Sequence, residues 1–170
     1  MEWYTPYIEA FIEEMEAVGI SIAQDQVQFT GFWSQGDGAS FEFDASDCDH
    51  RKFCSELVKR GFLLTPEFKA RLEMYELLPD DHEVERFLKL CDLLIISSAR
   101  TDSRYSHENT CNIEVDVDYD LEVADEKQTE DFANLVEAAA EKWRLHESKR
   151  LYRMLEEGWE ESGGEDSEEY

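Results

Sequence analysis

The sequence predicts an α+β fold, with a four-stranded antiparallel sheet built from two hairpins and packed with about five helices. Three observations predict it. Two β-rich pairs, over 27–45 and 93–123, alternate apolar and polar residues around polar turns. The dipeptides Thr5-Pro6 and Thr65-Pro66 open runs of helical periodicity. Finally, 42% hydrophobic and 12% aromatic residues over a length of 170 suffice for the core of one domain.

Thr5, as a capping residue before Pro6, starts the first helix. Tyr7, Ile8, Phe11, Ile12 and Met15 share its apolar face, Glu9, Glu13, Glu14 and Glu16 take the other, and Gly19 closes it. Residues 27–33 and 39–45 read as strands joined by SQGDG, whose glycines supply the positive φ of a tight turn. A second helix spans 47–61, with Asp47 capping and Phe53, Leu57 and Val58 facing inward. Thr65-Pro66 opens a third, and after Pro79 a fourth restarts at Asp80 or Asp81. Residues 93–99 and 112–123 form the second strand pair, with 100–110 as its polar end. From about Thr129 a last helix carries Phe132, Leu135, Val136, Ala139, Trp143, Leu151 and Leu155. The ending GWEESGGEDSEEY has no periodicity and is expected to fray, so the domain is set at 1–160 with an acidic tail at 161–170.

Charge is the strongest compositional signal. A net charge of -26 and a pI near 4.3 repel nucleic acid and anionic lipid, and attract basic protein grooves. No apolar run has membrane length, and the acidic N-terminus is unlike a secretion signal. Cys48, Cys54, Cys91 and Cys111 form no CxxC pair, so reduced thiols in the cytoplasm are expected. Zinc ligation by Cys48, His50, Cys54 and Cys91 lacks the usual knuckle spacing, and no metal or other cofactor is assigned.

The run NIEVDVDYDLEV, 112–123, concentrates the charge. Ile113, Val115, Val117, Tyr119, Leu121 and Val123 fall on one face, and Glu114, Asp116, Asp118, Asp120 and Glu122 on the other. Successive carboxylates on a strand are about 6.6 Å apart, close to the roughly 6–7 Å between phosphates along one nucleic-acid strand. Like charges on one strand face repel, so the pattern costs stability. Glu42 and Asp44 alternate in the same sense, and one shared sheet would join them to the ladder. Asp116-x-Asp118-x-Asp120 imitates the start of a calcium loop, but Leu121 and Lys127 occupy the positions that need glycine and glutamate.

Catalytic patterns are missing. His50, His82, His107 and His146 are scattered, and no local spacing places a nucleophile beside one. Gly36-Asp37-Gly38 is acidic where a phosphate loop needs a cation. The basic residues of the last helix, Lys142, Arg144, Lys149, Arg150 and Arg153, have glutamates within pairing distance and form no nucleic-acid patch. The expected protein is a binding protein, not an enzyme.

The hairpin FTGFWSQGDGASFEFD resembles the signature G-F-W-S-Q-G-D-G-A-x-F of a family of small uncharacterised proteins of phages, plasmids and bacterial genomes, some labelled antitoxin-like. Arg104-Tyr-Ser-His107 with Cys111-Asn-Ile-Glu-Val115, and Arg150-Leu-Tyr-Arg-Met-Leu-Glu-Glu157, are similar to two further shared blocks. The resemblance implies a protein working in the bacterial cytoplasm, with Phe32, Trp33, Ser34, Gln35, Gly36, Asp37 and Gly38 as signature residues without an assigned catalytic role. Joined to the charge, it gives the expectation of a nucleic-acid mimic that blocks the basic nucleic-acid-binding surface of a host defence complex, a CRISPR effector or a restriction enzyme. The alternative is an antitoxin or regulatory protein that sequesters a basic toxin. Either reading expects Glu42, Asp44, Glu114, Asp116, Asp118, Asp120 and Glu122 at the contact, with Asp37 and exposed Trp33 from the hairpin.

Overall fold

The chain begins with the helix that Pro6 announces. In the computed structural model, which describes residues 2–33, 37–101, 108–119 and 125–163, α1 spans Thr5–Ala17. Thr5 is its first residue, not its cap, because Tyr4 takes the cap position and no side chain bonds there. Ile8, Phe11 and Met15 are its buried face. Gly19 follows with φ +93° and lies against Asp49 and Lys52, where a Cβ would come within 3.0 Å of the Asp49 carbonyl. Its own carbonyl accepts from Asp49 N–H at 2.7 Å, which ties the end of α1 to the start of the next helix.

The order continues through β1 (Val27–Phe29), β2 (Ala39–Phe41), α2 (His50–Lys59), α3 (Pro66–Glu73), α4 (His82–Asp92), β3 (Leu94–Arg100), β4 (Cys111–Val117) and α5 (Glu126–Glu161). Helix starts follow side-chain caps: Asp49 for α2, Thr65 for α3, Asp81 for α4 and Asp125 for α5 each accept from a backbone N–H of the first turn. Thr65 and Asp81 stand where the sequence placed them. Asp47 instead belongs to a 3-10 turn, and α5 begins three residues before Thr129.

The expected four-stranded sheet is not formed. Among the described residues two separate antiparallel pairs occur, β1 with β2 and β3 with β4. They approach through one isolated bridge, in which Phe43 and Ser98 exchange both backbone hydrogen bonds. The ladder goes no further because the Ser98 hydroxyl takes the Phe41 carbonyl at 3.0 Å, and a 3-10 turn at Ala45–Asp47 bends the chain away. β1, β2 and β4 are also shorter than the pattern implies, whereas β3 has the expected length. Phe32 and Trp33 leave β1 to pack on α5, and β4 ends at Val117.

The core is a chain of aromatic rings. Trp143 of α5 stands edge-on to Phe53 at 4.8 Å and to Phe41 at 5.7 Å, and Phe41 meets Phe11 at 5.3 Å. All four are fully buried, with Ile96, Leu57, Leu151 and Leu155 around them. α5 runs 36 residues, about 54 Å, and packs against α1, α2, β2 and β4. It absorbs part of the segment expected to fray. Gly158 is buried within it, and a Cβ there would come within 2.4 Å of the Tyr7 ring. Residues 164–170 lie outside the described residues. No helix of the described residues is long and apolar enough to cross a membrane.

Candidate protein-binding surface

Of the five carboxylates in the acidic run, Glu114 and Asp116 stand on β4 and are exposed. Alternation puts Cys111 and Ile113 in the core on the opposite face. Val115 and Val117 are only half-buried, and Tyr119, expected on that apolar face, is 48% exposed and donates to Glu130 at 2.9 Å. Asp118 is exposed just beyond the strand, its N–H held by the Leu93 carbonyl. Asp120 and Glu122 lie outside the described residues. The described part of the ladder is therefore a pair of acids about 6.6 Å apart, followed by Asp118.

The neighbouring strand determines what flanks that pair. Glu114 faces Ser97 and Asp116 faces Ile95 across the β3–β4 ladder. The Phe43–Ser98 bridge puts Asp44 opposite Ser97 and Glu42 opposite Ala99. Asp44 thus falls in the row of Glu114, two strand spacings away, about 9.6 Å, with neutral Ser97 between. Glu42 is close enough to Cys111 to help burial, the larger cause, raise that thiol above its ordinary value. Glu42, Asp44, Glu114 and Asp116 lie on one side of the molecule, but a neutral strip of Ile95, Ser97 and Ala99 divides them.

A feature invisible in the sequence stiffens this side. β4 is an edge strand, and two of its outward amides are covered: Ile113 N–H donates to Glu141 at 3.0 Å and Val115 N–H to Glu137 at 3.3 Å. Such coverage blocks pairing with another chain. Glu141 also accepts from Arg144, which is 1% exposed and donates besides to the Glu108 carbonyl. Other cations are likewise drawn into internal pairs. Arg60 and Arg150 both hold Glu147, itself 2% exposed, and Arg150 reaches Glu14. Arg51 binds Asp92, and Arg71 binds Asp81 and Glu83. The intrahelical pairing expected on α5 is present at Arg144–Glu141 and Arg150–Glu147.

Trp33 and Asp37 are elsewhere. Trp33 contacts Trp159 of α5, eighteen residues beyond Glu141, or about 27 Å along the helix axis. The candidate contact residues therefore divide into two groups, the acidic strand side and this aromatic ledge. At the ledge Phe32 packs on Tyr152 and Trp159 at 5.3 and 5.5 Å, and Tyr152 donates to the Gly31 carbonyl at 3.0 Å. Burial, then Asp37 and Glu156, push the Tyr152 hydroxyl above its ordinary value. Sequence reasoning missed Tyr152, Glu156 and Trp159 as site residues. The spacing 152, 156, 159 on a continued helix was the available signal, hidden by treating GWEES as tail.

Cys54, Cys91 and Cys111 are buried and Cys48 half-buried, all as free thiols. Among the described residues no group of three or more histidine, cysteine or acidic side chains is placed to hold a metal ion. The turn residues Ser34, Gln35 and Gly36, and the Arg104–His107 block, fall outside the described residues. No curated protein and no solved structure matches the sequence. A family model does, over residues 3–163, and the chain belongs to that family, described as a domain of unknown function, DUF8835.

Proposed function

We propose that this protein is an acidic nucleic-acid mimic of phage or plasmid origin. It inhibits a nucleic-acid-binding protein of the bacterial cytoplasm, such as a CRISPR effector or a restriction enzyme, by occupying the basic groove. The observation that carries this reading is the exposed pair Glu114 and Asp116, held on an ordered strand at phosphate-like spacing and continued by Asp118. Two further features support it. Glu137 and Glu141 cover the strand edge, leaving the carboxylate face as the surface offered. The pairing of Arg51, Arg60, Arg71, Arg144 and Arg150 with carboxylates leaves the external field of a chain of net charge -26 anionic.

Displacement tests it directly. A fluorescent duplex is bound to a Cas-type effector or a restriction endonuclease, and its anisotropy is followed as this protein is added. Wild type is expected to release the duplex from at least one basic groove, with potency falling steeply from 50 to 300 mM salt. The triple variant Glu114→Gln, Asp116→Asn, Asp118→Asn is expected to lose release while staying folded. Undiminished release by that variant removes the strand from the mechanism, and no release from any such groove overturns the reading.

A further inference from the structure

Trp33 is a large apolar side chain that is 60% exposed, yet it is fixed in place. Its backbone N–H donates to the Asp37 carboxylate at 2.9 Å. Its ring lies over Gly31, where a Cβ would come within 2.1 Å, so only glycine permits the approach. Trp159 supports it from below, edge-on at 5.6 Å and 87°. Phe32, wedged against Trp159, meets it at 6.3 Å. An aromatic held this firmly, with most of its surface in water, has the character of a contact anchor.

The surroundings select the ligand. Tyr152, Glu156 and Glu160 repeat at four-residue intervals on α5, so both glutamates stand in one stripe beside Trp159. An indole face attracts cations through its quadrupole, and a neighbouring carboxylate adds a directional partner. A guanidinium satisfies both at once, because it is flat enough to stack and carries a fork of donors for the carboxylate. An ammonium cannot stack. Nucleic acid and anionic lipid are repelled by the same carboxylates, and a second copy of this chain brings its own negative charge.

We propose that Trp33, Trp159 and Glu156 form a receiving site for an arginine of a partner protein, with the guanidinium laid on the Trp33 indole and paired to Glu156. About 27 Å along α5 from the acidic strand, it gives the partner a second point of attachment that reads side-chain identity as well as charge. That the arginine belongs to the inhibited nucleic-acid-binding protein rests on the function proposed above. The receiving chemistry does not.

The test compares two short blocked peptides, Gly-Arg-Gly-Arg-Gly and Gly-Lys-Gly-Lys-Gly, titrated into the full chain at 150 mM salt. Binding is read from the indole N–H resonances, with fully buried Trp143 as internal reference. The arginine peptide is expected to bind about 2- to 5-fold tighter than the lysine peptide, as an exposed cation–π contact supplies, and to shift Trp33 and Trp159. Trp33→Ala should cut the ratio, Trp33→Phe should keep more of it, and Glu156→Gln should weaken the arginine peptide more than the lysine peptide. A wild-type ratio of one, or a ratio that survives Trp33→Ala, overturns the proposal. A preserved ratio in a protein that displaces no duplex sinks the mimic and keeps this site, and the reverse result does the opposite.

Discussion

Replacing a glycine inside a helix by alanine ordinarily stabilises it by about 0.8–1.0 kcal/mol. Gly158 should do the reverse. It is buried in α5, and its φ is not positive, so the backbone itself accepts a Cβ. The space does not. An ideal Cβ would lie 2.4, 2.6 and 2.7 Å from three carbons of the Tyr7 ring. Ordinary contact requires more than an additional ångström. The ring cannot swing away without leaving Glu161, which accepts its hydroxyl at 2.8 Å. Overpacking of this kind costs about 1–3 kcal/mol, which outweighs the gain in propensity. Gly158→Ala is therefore expected to destabilise by about 1 kcal/mol, seen as a fall in Tm of about 2–4 °C for a domain of this size. Thermal unfolding followed by circular dichroism measures it. The sign should invert in a Tyr7→Ala background, where the same substitution gains about 1 kcal/mol of helix propensity. A Tm that rises on Gly158→Ala with Tyr7 present would refute the close approach of α1 and α5.

The two glutamates along the β4 edge separate by what else they hold. Glu141→Ala leaves buried Arg144 without its carboxylate and should cost about 3 kcal/mol, whereas Glu137→Ala exposes only the Val115 amide to water and should cost under about 1 kcal/mol in urea unfolding. His50 supplies a pH dependence: burial, partly offset by Asp49 and Asp92, lowers its pKa from 6.5, and its Nε2 accepts from Ile96 N–H. The folded state then binds its proton less readily than the unfolded chain, so the group contributes nothing above about pH 6.5 and destabilises as pH falls below it. Between pH 7 and 5 the Tm of wild type should drop relative to His50→Gln, and parallel curves would contradict this. Glu114→Gln with Asp116→Asn should leave stability within about 0.5 kcal/mol of wild type, because two exposed charges about 6.6 Å apart in water repel by only about 0.6 kcal/mol before salt screening. A larger change in chemical denaturation would mean that these acids serve the fold.

Local chemistry decides what the sequence makes legible. Thr65-Pro66 and Asp81 announce α3 and α4 because a capping side chain acts within three residues of itself. The apolar stripe Ile8, Phe11 and Met15 is legible because helical period determines which face is buried. The alternation through Ile113, Glu114, Val115 and Asp116 gave the strand for the same reason. None of these signals carries distance. The end of β4 at Val117 is set by its register with Leu94, although the alternation in the sequence runs on to Val123.

The net charge of -26, the starts of α3 and α4 and the two strand pairs were determined by the sequence alone, because each arises from residues adjacent in the chain. Only the tertiary structure decided that the pairs remain separate sheets joined by one bridge, since that depends on where the Ser98 hydroxyl meets the Phe41 carbonyl. It also decided that Trp33 rests on Trp159, and that Glu141 serves both Ile113 and Arg144. Periodicity dictates that a face must be covered; which distant residue covers it is settled by packing among elements that the sequence lists far apart.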